Sequence, residues 1–137
     1  MNVQKEKIII IDFGSQVTKL IARRIREFGV LSEVFNLKEF KKIRNFLHIK
    51  GIILSGGPST VTKKSFPNIP IDIFKKKIPI LGICYGLQLI AVNFGGKVRS
   101  GKKLREFGRA RLKKENESLL TKNFFKKNNA EVWICLL

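Results

Sequence analysis

The stretch ILGICYGLQLI, residues 80–90, decides the fold and the chemistry that this sequence predicts. Its apolar start predicts the end of a buried β-strand, and its apolar end predicts a helix. Cys84 lies on the turn between them, with Gly82 and Gly86 two residues to either side. This Gly-x-nucleophile-x-Gly pattern is typical of a nucleophile elbow, whose glycines relieve clashes and whose nucleophile projects from the sheet edge. The alternative is a small, inert cysteine in an ordinary turn, since free cysteine often lies in a core.

Apolar runs and helical patterns alternate along the chain up to and beyond this turn. Four short apolar runs predict strands at residues 7–12, 31–35, 51–55 and 78–83. Apolar residues at helical spacing predict helices at residues 17–28, 36–47 and 87–94. This alternation predicts an α/β fold with an open, mostly parallel sheet and helices on both faces. We expect one domain spanning residues 1–137.

Capping residues mark the predicted helix ends. Ser15 is predicted as the N-cap of the first helix, and Gly29 as the residue that ends it. Asn36, with Glu39 three residues later, predicts a capping box that opens the second helix and carries it to about Leu47.

Composition narrows the class of protein. The chain has 137 residues, 44% of them hydrophobic, which suits a globular domain with its own core. No apolar run approaches the ~20 residues that span a bilayer. The first residues lack a signal-peptide pattern, so we expect a cytoplasmic protein with no membrane partner. Two cysteines and one histidine do not favour a metal site, so we expect none.

The net charge of +18 raises the question of a nucleic-acid partner. The lysines fall in short pairs and triplets in different predicted elements, without aromatic residues interleaved on one face. A solvated basic surface is therefore favoured over nucleic-acid binding.

Three loops follow predicted strands and carry the candidate chemistry: DFGSQ (12–16), SGGPST (55–60) and GICYG (82–86). The carboxyl ends of parallel strands open on one edge of the sheet, so we expect these loops to meet. Gly56 and Gly57 would let backbone N–H groups point into the cleft beside Cys84, as in an oxyanion hole. The alternative for this loop is an ordinary Gly-Pro turn.

Four motifs together resemble a known family. The motifs IIDFGSQ, GIILSGGPST, GICYGLQ and REFG (105–108) are similar to the class I glutamine amidotransferase domain of the GMP synthases. The resemblance runs from about Lys7 to Arg111, and Tyr85 after the cysteine favours this branch over other class I amidotransferases.

The resemblance implies a role for each matched residue. Cys84 would attack the side-chain amide of glutamine, giving a γ-glutamyl thioester and ammonia. The backbone N–H groups of Gly57 and Tyr85 would hold the oxyanion. Gln88 and Gly56 would contact the glutamine substrate.

The resemblance also implies a partner. Members of the family pass the ammonia to an ATP-pyrophosphatase synthetase domain, which adenylates XMP and aminates it to GMP. ATP and Mg²⁺ would belong to that synthetase, so we expect this chain itself to need no cofactor.

The sequence departs from the family pattern in one respect. Family members carry a triad His and Glu in the C-terminal part of the domain, after a stretch that matches Glu131 to Trp133 and then differs. We therefore expect the domain to be C-terminally incomplete and the activity of this chain alone to be in doubt. His48 precedes the third predicted strand, at the sheet edge opposite the loops, and does not suit the role of base.

Two other functions stay open at this point. One is a non-catalytic remnant or docking subunit of a GMP synthase, which the missing His and Glu favour. The other is a subunit of a different class I amidotransferase, against which the DFGSQ and REFG motifs argue.

Overall fold

The computed structural model of this chain describes residues 5–99, 107–125 and 127–135. The chain divides into two compact units, residues 1–99 and 100–137, and each is described by itself. Compact units of this kind occur within single domains, so the domain boundary of 1–137 stays a prediction.

The first unit contains a four-stranded, all-parallel sheet in the order β2-β1-β3-β4. The strands are β1 (Lys7–Asp12), β2 (Leu31–Asn36), β3 (Ile49–Leu54) and β4 (Ile80–Gly82). The helices are α1 (Thr18–Glu27), α2 (Leu37–Phe40) and α3 (Tyr85–Asn93), with a 3-10 helix at Ile71–Lys75. The predicted α/β fold with a mostly parallel sheet is confirmed.

The main core lies on one face of the sheet. Alternate residues of β1 and β3 point to this face because side chains alternate along a strand. They pack against Phe40 from α2 and Ile73 from the 3-10 helix. The buried members of this core are Ile9, Ile11, Phe40, Ile49, Ile52, Leu54, Ile69 and Ile73.

Helix α1 lies on the opposite face. Ser32, which is buried in β2, donates a hydrogen bond of 2.9 Å to the carbonyl of Ala22 in α1. Ser32 and Phe35 are three positions apart on β2 and so face opposite sides, and Phe35 packs against the main core. Helices therefore cover both faces of the sheet, as predicted.

Helix α2 is much shorter than predicted. The capping box of Asn36 and Glu39 forms as expected, yet the helix ends at Phe40. Lys38 and Lys42 would stand one turn apart in a longer helix, and like charges at that spacing are destabilising. Turns after Phe40 instead bring Ile43 into the main core.

The predicted N-cap of the first helix is also wrong. Helix α1 begins at Thr18, and Ser15 lies three residues earlier, where its hydroxyl accepts from the Val17 N–H at 3.3 Å. Gly29 does follow the end of the helix, with a φ of 75° that suits glycine.

The second unit is an antiparallel hairpin of β5 (Phe107–Lys113) and β6 (Asn129–Cys135). Arg111 pairs with Glu131 across the two strands at 3.6 Å. Arg105 and Glu106 of the REFG motif lie outside the described residues. In the described part of the chain, no helix is both long and apolar enough to cross a membrane.

Candidate active site

Cys84 occupies a strained turn between β4 and α3. Its backbone has a φ of 50° and a ψ of −109°, and it is the N-cap of α3. A positive φ is rare for a residue with a side chain and persists only where the surroundings enforce it. The side chain is exposed. The local geometry is therefore that of a nucleophile elbow with an accessible thiol.

Two glycines make this turn possible. A Cβ added at Gly82 would lie 2.6 Å from the backbone nitrogen of Leu87, and one at Gly86 would lie 2.2 Å from the carbonyl oxygen of Leu54. Both distances are well below van der Waals contact, so neither position has room for a side chain. The Gly82 and Gly86 spacing thus has the steric cause that the sequence pattern predicts.

Backbone hydrogen bonds fix the elbow to the end of β3. The Ile83 N–H donates to the Leu54 carbonyl at 2.9 Å, and the Gly86 N–H donates to the Ser55 carbonyl at 3.1 Å. These bonds place the start of α3 directly beside the SGGPST loop. The two loops are consequently joined by backbone hydrogen bonds at one edge of the sheet.

Ser55 holds the SGGPST loop from inside. It is fully buried, its N–H donates to Ile11 at 3.0 Å, and its hydroxyl donates to the Gly56 carbonyl at 2.9 Å. The same hydroxyl accepts from the Phe13 N–H at 3.2 Å. A Cβ at Gly57 would lie 2.3 Å from the Phe13 carbonyl, so Gly57 too must be glycine.

Gly56 marks the point where the three predicted loops meet. A Cβ added there would lie 3.4 Å from the Cys84 Cβ and 3.6 Å from the Ser15 Oγ. One residue from each of the DFGSQ, SGGPST and GICYG loops therefore lies within ordinary contact of a single point. The structure brings these loops together at the carboxyl edge of the sheet.

Asp12 organises the DFGSQ loop and was missed by sequence reasoning. Its Oδ1 accepts from the N–H groups of Gly14 and Ser15 at 2.9 and 3.3 Å, and from the Thr18 hydroxyl at 2.8 Å. A strand-ending Asp with a glycine two residues later is the local signal that could have indicated it.

The Tyr85 side chain anchors the long excursion between β3 and β4. Its ring is buried and meets the Phe13 ring edge-on at a centroid distance of 5.1 Å. Its hydroxyl donates to the carbonyl of Pro67. Burial away from water raises the pKa of the Tyr85 phenol. The sequence predicts a role in the site for the backbone N–H of this residue but none for its side chain.

Gln88 lies one turn into α3, and its N–H donates to the Cys84 carbonyl at 3.2 Å. Its side-chain Oε1 accepts from the Val61 N–H and from the Thr60 hydroxyl, each at 3.4 Å. Gln88 is therefore held against the same loop that carries Gly56 and Gly57. The contact with Thr60 was not foreseen.

His48 lies at the opposite edge of the sheet. Its carbonyl accepts from the N–H of Lys7, the first residue of β1, at 2.9 Å, and β3 begins directly after it. Six residues of β3 separate the two edges, which is about 20 Å of strand. His48 is the one histidine of the sequence, so no histidine of this chain lies beside Cys84.

The described residues contain no group of three His, Cys, Asp or Glu side chains placed to hold a metal ion. The chemistry that these residues themselves offer is that of a thiol nucleophile beside glycine-rich backbone N–H groups.

Comparison with known proteins assigns this chain to a family whose members share this fold. Residues 9–134 match the family model of class I glutamine amidotransferases. The chain belongs to the class I glutamine amidotransferase family. It is also similar to part of a particular enzyme, GMP synthase [glutamine-hydrolyzing], which confirms the resemblance inferred from the motifs.

Three relatives with that name show the extent of the similarity. The Legionella pneumophila (strain Corby) protein is 48% identical over 126 residues, covering 89% of this chain and 23% of the relative. The Vibrio parahaemolyticus protein is 44% identical and covers 97% of this chain and 25% of the relative. The Paraburkholderia phytofirmans protein is 51% identical and covers 84% and 22%. The chain spans about a quarter of the length of these relatives.

Solved structures share the fold. A candidate GMP synthase subunit from Thermoplasma acidophilum superposes with a TM-score of 0.70 at 26% identity, over 95% of this chain and 64% of that one. A glutamine amidotransferase from Methylobacillus flagellatus superposes with a TM-score of 0.66 at 19% identity, over 94% and 54%. The second likeness shows the fold alone.

Proposed function

We propose that this chain is the glutaminase part of a GMP synthase, with Cys84 as its nucleophile. The observation that carries the proposal is the elbow itself, a solvent-exposed cysteine at a φ of 50° on the N-terminus of α3. Family membership supports glutamine as the substrate.

The reaction would proceed through a thioester. The sulfur of Cys84 attacks the side-chain amide carbon of glutamine and forms a tetrahedral oxyanion. Collapse of this intermediate breaks the carbon–nitrogen bond, and the departing nitrogen takes up a proton and leaves as ammonia. Water then attacks the thioester, which releases glutamate and regenerates the thiol.

Backbone and side-chain groups near Cys84 would bind the substrate. The N–H groups of Gly57 and Tyr85 are assigned to the oxyanion, because both belong to the loops that meet beside the sulfur. Gly56 and Gln88 are assigned to the glutamine substrate. A side chain at Gly56 would contact Cys84, so glycine leaves that space for a ligand.

Proton transfer is the weak part of the reaction in this chain. A thiol nucleophile ordinarily works with a histidine base, and His48 lies a strand length away. We assign base chemistry to none of the described residues and expect low turnover from the chain alone.

The ammonia would pass to an ATP-pyrophosphatase synthetase, as a domain or a separate subunit, which converts XMP to GMP. The name of the relatives supports this partner. ATP and Mg²⁺ would act in the synthetase, and this chain would need no cofactor of its own. The cytoplasm is the proposed location.

Covalent labelling tests the proposal. The chain is incubated with the diazo-ketone analogue of glutamine, and the adduct is located by mass spectrometry, with Cys84→Ala as the control. A sulfur–carbon bond forms as dinitrogen leaves and the diazo carbon takes up the thiol proton. We expect one adduct, on Cys84, and protection by free glutamine. Absence of an adduct, or equal labelling of Cys84 and Cys135, would refute the assignment.

A docking subunit without catalytic activity is a second candidate. The distance between His48 and Cys84 favours it, because the triad has no histidine in this chain. It predicts tight binding to the synthetase by titration calorimetry together with no labelling of Cys84 in the complex.

A further inference from the structure

The orientation of the Gln88 side-chain amide is fixed by its hydrogen-bond partners. A backbone N–H can only donate, so the Gln88 atom that faces the Val61 N–H at 3.4 Å must be the oxygen, Oε1. The NH₂ group is then on the other branch of the amide, turned away from Val61. The hydrogen-bonding chemistry alone therefore assigns the two branches.

The Thr60 hydroxyl reinforces that orientation. Its oxygen accepts from the Thr62 N–H at 3.3 Å and lies 3.1 Å from the Thr62 hydroxyl oxygen. If the Thr62 hydroxyl donates, both lone pairs of Thr60 are used, and its single hydrogen is left for the Gln88 Oε1 at 3.4 Å. The three residues then form a directed chain from Thr62 through Thr60 to Gln88.

The free end of the amide opens beside the nucleophile. Gln88 lies one turn after Cys84, and helical side chains tilt back toward the N-terminus of their helix. Gln88 is half-buried, and no buried polar side-chain atom of the described residues lacks a partner. No described residue accepts from its NH₂ group, so that group is open to solvent with two donors unused.

We infer that Thr60 is a positioning residue for substrate recognition: its hydroxyl locks Gln88 so that two N–H donors face the cleft. This inference rests on the proposed function. The site would select an amino acid that presents a hydrogen-bond acceptor, a carboxylate or carbonyl oxygen, to Gln88. Thr60 itself touches no reacting atom and acts through Gln88.

The expected effect is on binding and not on the chemical step. Without the Thr60 hydroxyl, the amide can rotate and lose part of its orientation, although Val61 still restrains it. The loss of one neutral hydrogen bond predicts about three- to tenfold weaker binding of the glutamine analogue. The limiting rate of alkylation at saturating analogue should change by less than about twofold.

The experiment measures the rate of Cys84 alkylation against analogue concentration, which separates the binding constant from the limiting rate. Thr60→Val removes the hydroxyl and keeps the shape. Thr60→Ser keeps the hydroxyl and should restore binding. Ser65→Ala is the control: Ser65 is exposed on the same excursion between β3 and β4 and lies outside the Thr62–Thr60–Gln88 hydrogen bonds, so we expect this variant to bind within about twofold of the parent chain.

A double-mutant cycle identifies the route by which Thr60 acts. In a Gln88→Ala background, Thr60→Val should have no further effect on binding. An equal weakening in both backgrounds, an unchanged binding constant in Thr60→Val, or a loss confined to the limiting rate would overturn the inference. If the parent chain is saturated by the analogue and Thr60→Val behaves identically, the inference about Thr60 is wrong but the proposed function stands. If the parent chain is never labelled, both the proposed function and the inference about Thr60 are refuted.

Discussion

Replacing Gly86 with alanine should break the elbow, and the size of the effect follows from the structure. The new Cβ would lie 2.2 Å from the Leu54 carbonyl oxygen and 2.6 Å from the Leu54 Cβ. Both atoms belong to β3, a central strand of the sheet, so no flexible side chain can move aside. Either the start of α3 or the end of β3 must shift.

Two opposing terms set the change in unfolding free energy of Gly86→Ala. Alanine in a helix is favoured over glycine by about 1 kcal/mol, and overpacking in a core costs about 1–3 kcal/mol. Because the Gly86 clash is with backbone, we take the top of that range and expect a net loss of about 2 kcal/mol. For a chain of this size the loss corresponds to a melting temperature lower by about 5–10 °C.

Gly51 provides the matched control. It is in β3 as well, but a Cβ there would meet its nearest heavy atom, Cγ1 of Ile8, at 3.6 Å, an ordinary contact. Gly51→Ala should therefore leave stability within about 1 kcal/mol of the parent chain, with a small gain from the stiffer unfolded chain.

Urea unfolding followed by circular dichroism measures both variants, and labelling with the diazo-ketone analogue reports on the elbow. Gly86→Ala should be less stable and should label Cys84 slowly or not at all. If Gly86→Ala is as stable as the parent chain, or if Gly51→Ala loses more stability than Gly86→Ala, the steric explanation of the GICYG spacing is wrong.

Three further predictions follow from single contacts. Tyr85 is the one tyrosine of the sequence, so tyrosinate absorbance reports its titration alone; the native midpoint should lie above the midpoint in denaturant, because burial raises the pKa. The contribution of Tyr85 to the unfolding free energy should be constant below about pH 10 and fall as pH rises through the folded pKa, so stability should decline less steeply with alkaline pH in Tyr85→Phe than in the parent chain. His48→Ala should leave the alkylation rate of Cys84 unchanged, and a large loss would contradict its position at the far edge. Asn36→Ala should lower the unfolding free energy in urea by about 0.5–2 kcal/mol, since it removes the capping box, and an unchanged midpoint would mean that the box contributes nothing.

The strands were predictable because burial in a parallel sheet demands continuous apolar runs. β1 has the predicted bounds, Lys7–Asp12, and all of its interior residues are isoleucine. The second helix was predicted too long because its capping box is a local signal, whereas its end depends on charge repulsion and on the packing of Ile43 against the main core.

The elbow was predictable because its residues form a short pattern in the sequence. The side-chain contacts around it were not predictable. At Gly82 the steric requirement is local, because a Cβ there would meet the start of α3; at Gly86 it comes from Leu54 of β3, yet the Gly-x-Cys-x-Gly spacing is visible in the sequence. Thr60 and Gln88 meet across 28 residues, and no local pattern encodes such a hydrogen bond. The proposed substrate contacts therefore emerge only when the fold brings separate loops to one edge of the sheet.

Labelling and turnover make different demands on this site. Labelling tests the Cys84 nucleophile alone, whereas turnover also requires a base. Alkylation by the diazo ketone takes up one proton, which the thiol of Cys84 can supply itself. Hydrolysis of glutamine requires a proton for the departing ammonia and then the removal of one from water, the steps that a histidine base performs. The single histidine lies a strand length away, so we expect stoichiometric labelling with turnover lower by several orders of magnitude than a complete triad would give. Steady glutamine hydrolysis by the isolated chain at a rate close to its labelling rate would mean that another group beside Cys84 serves as the base.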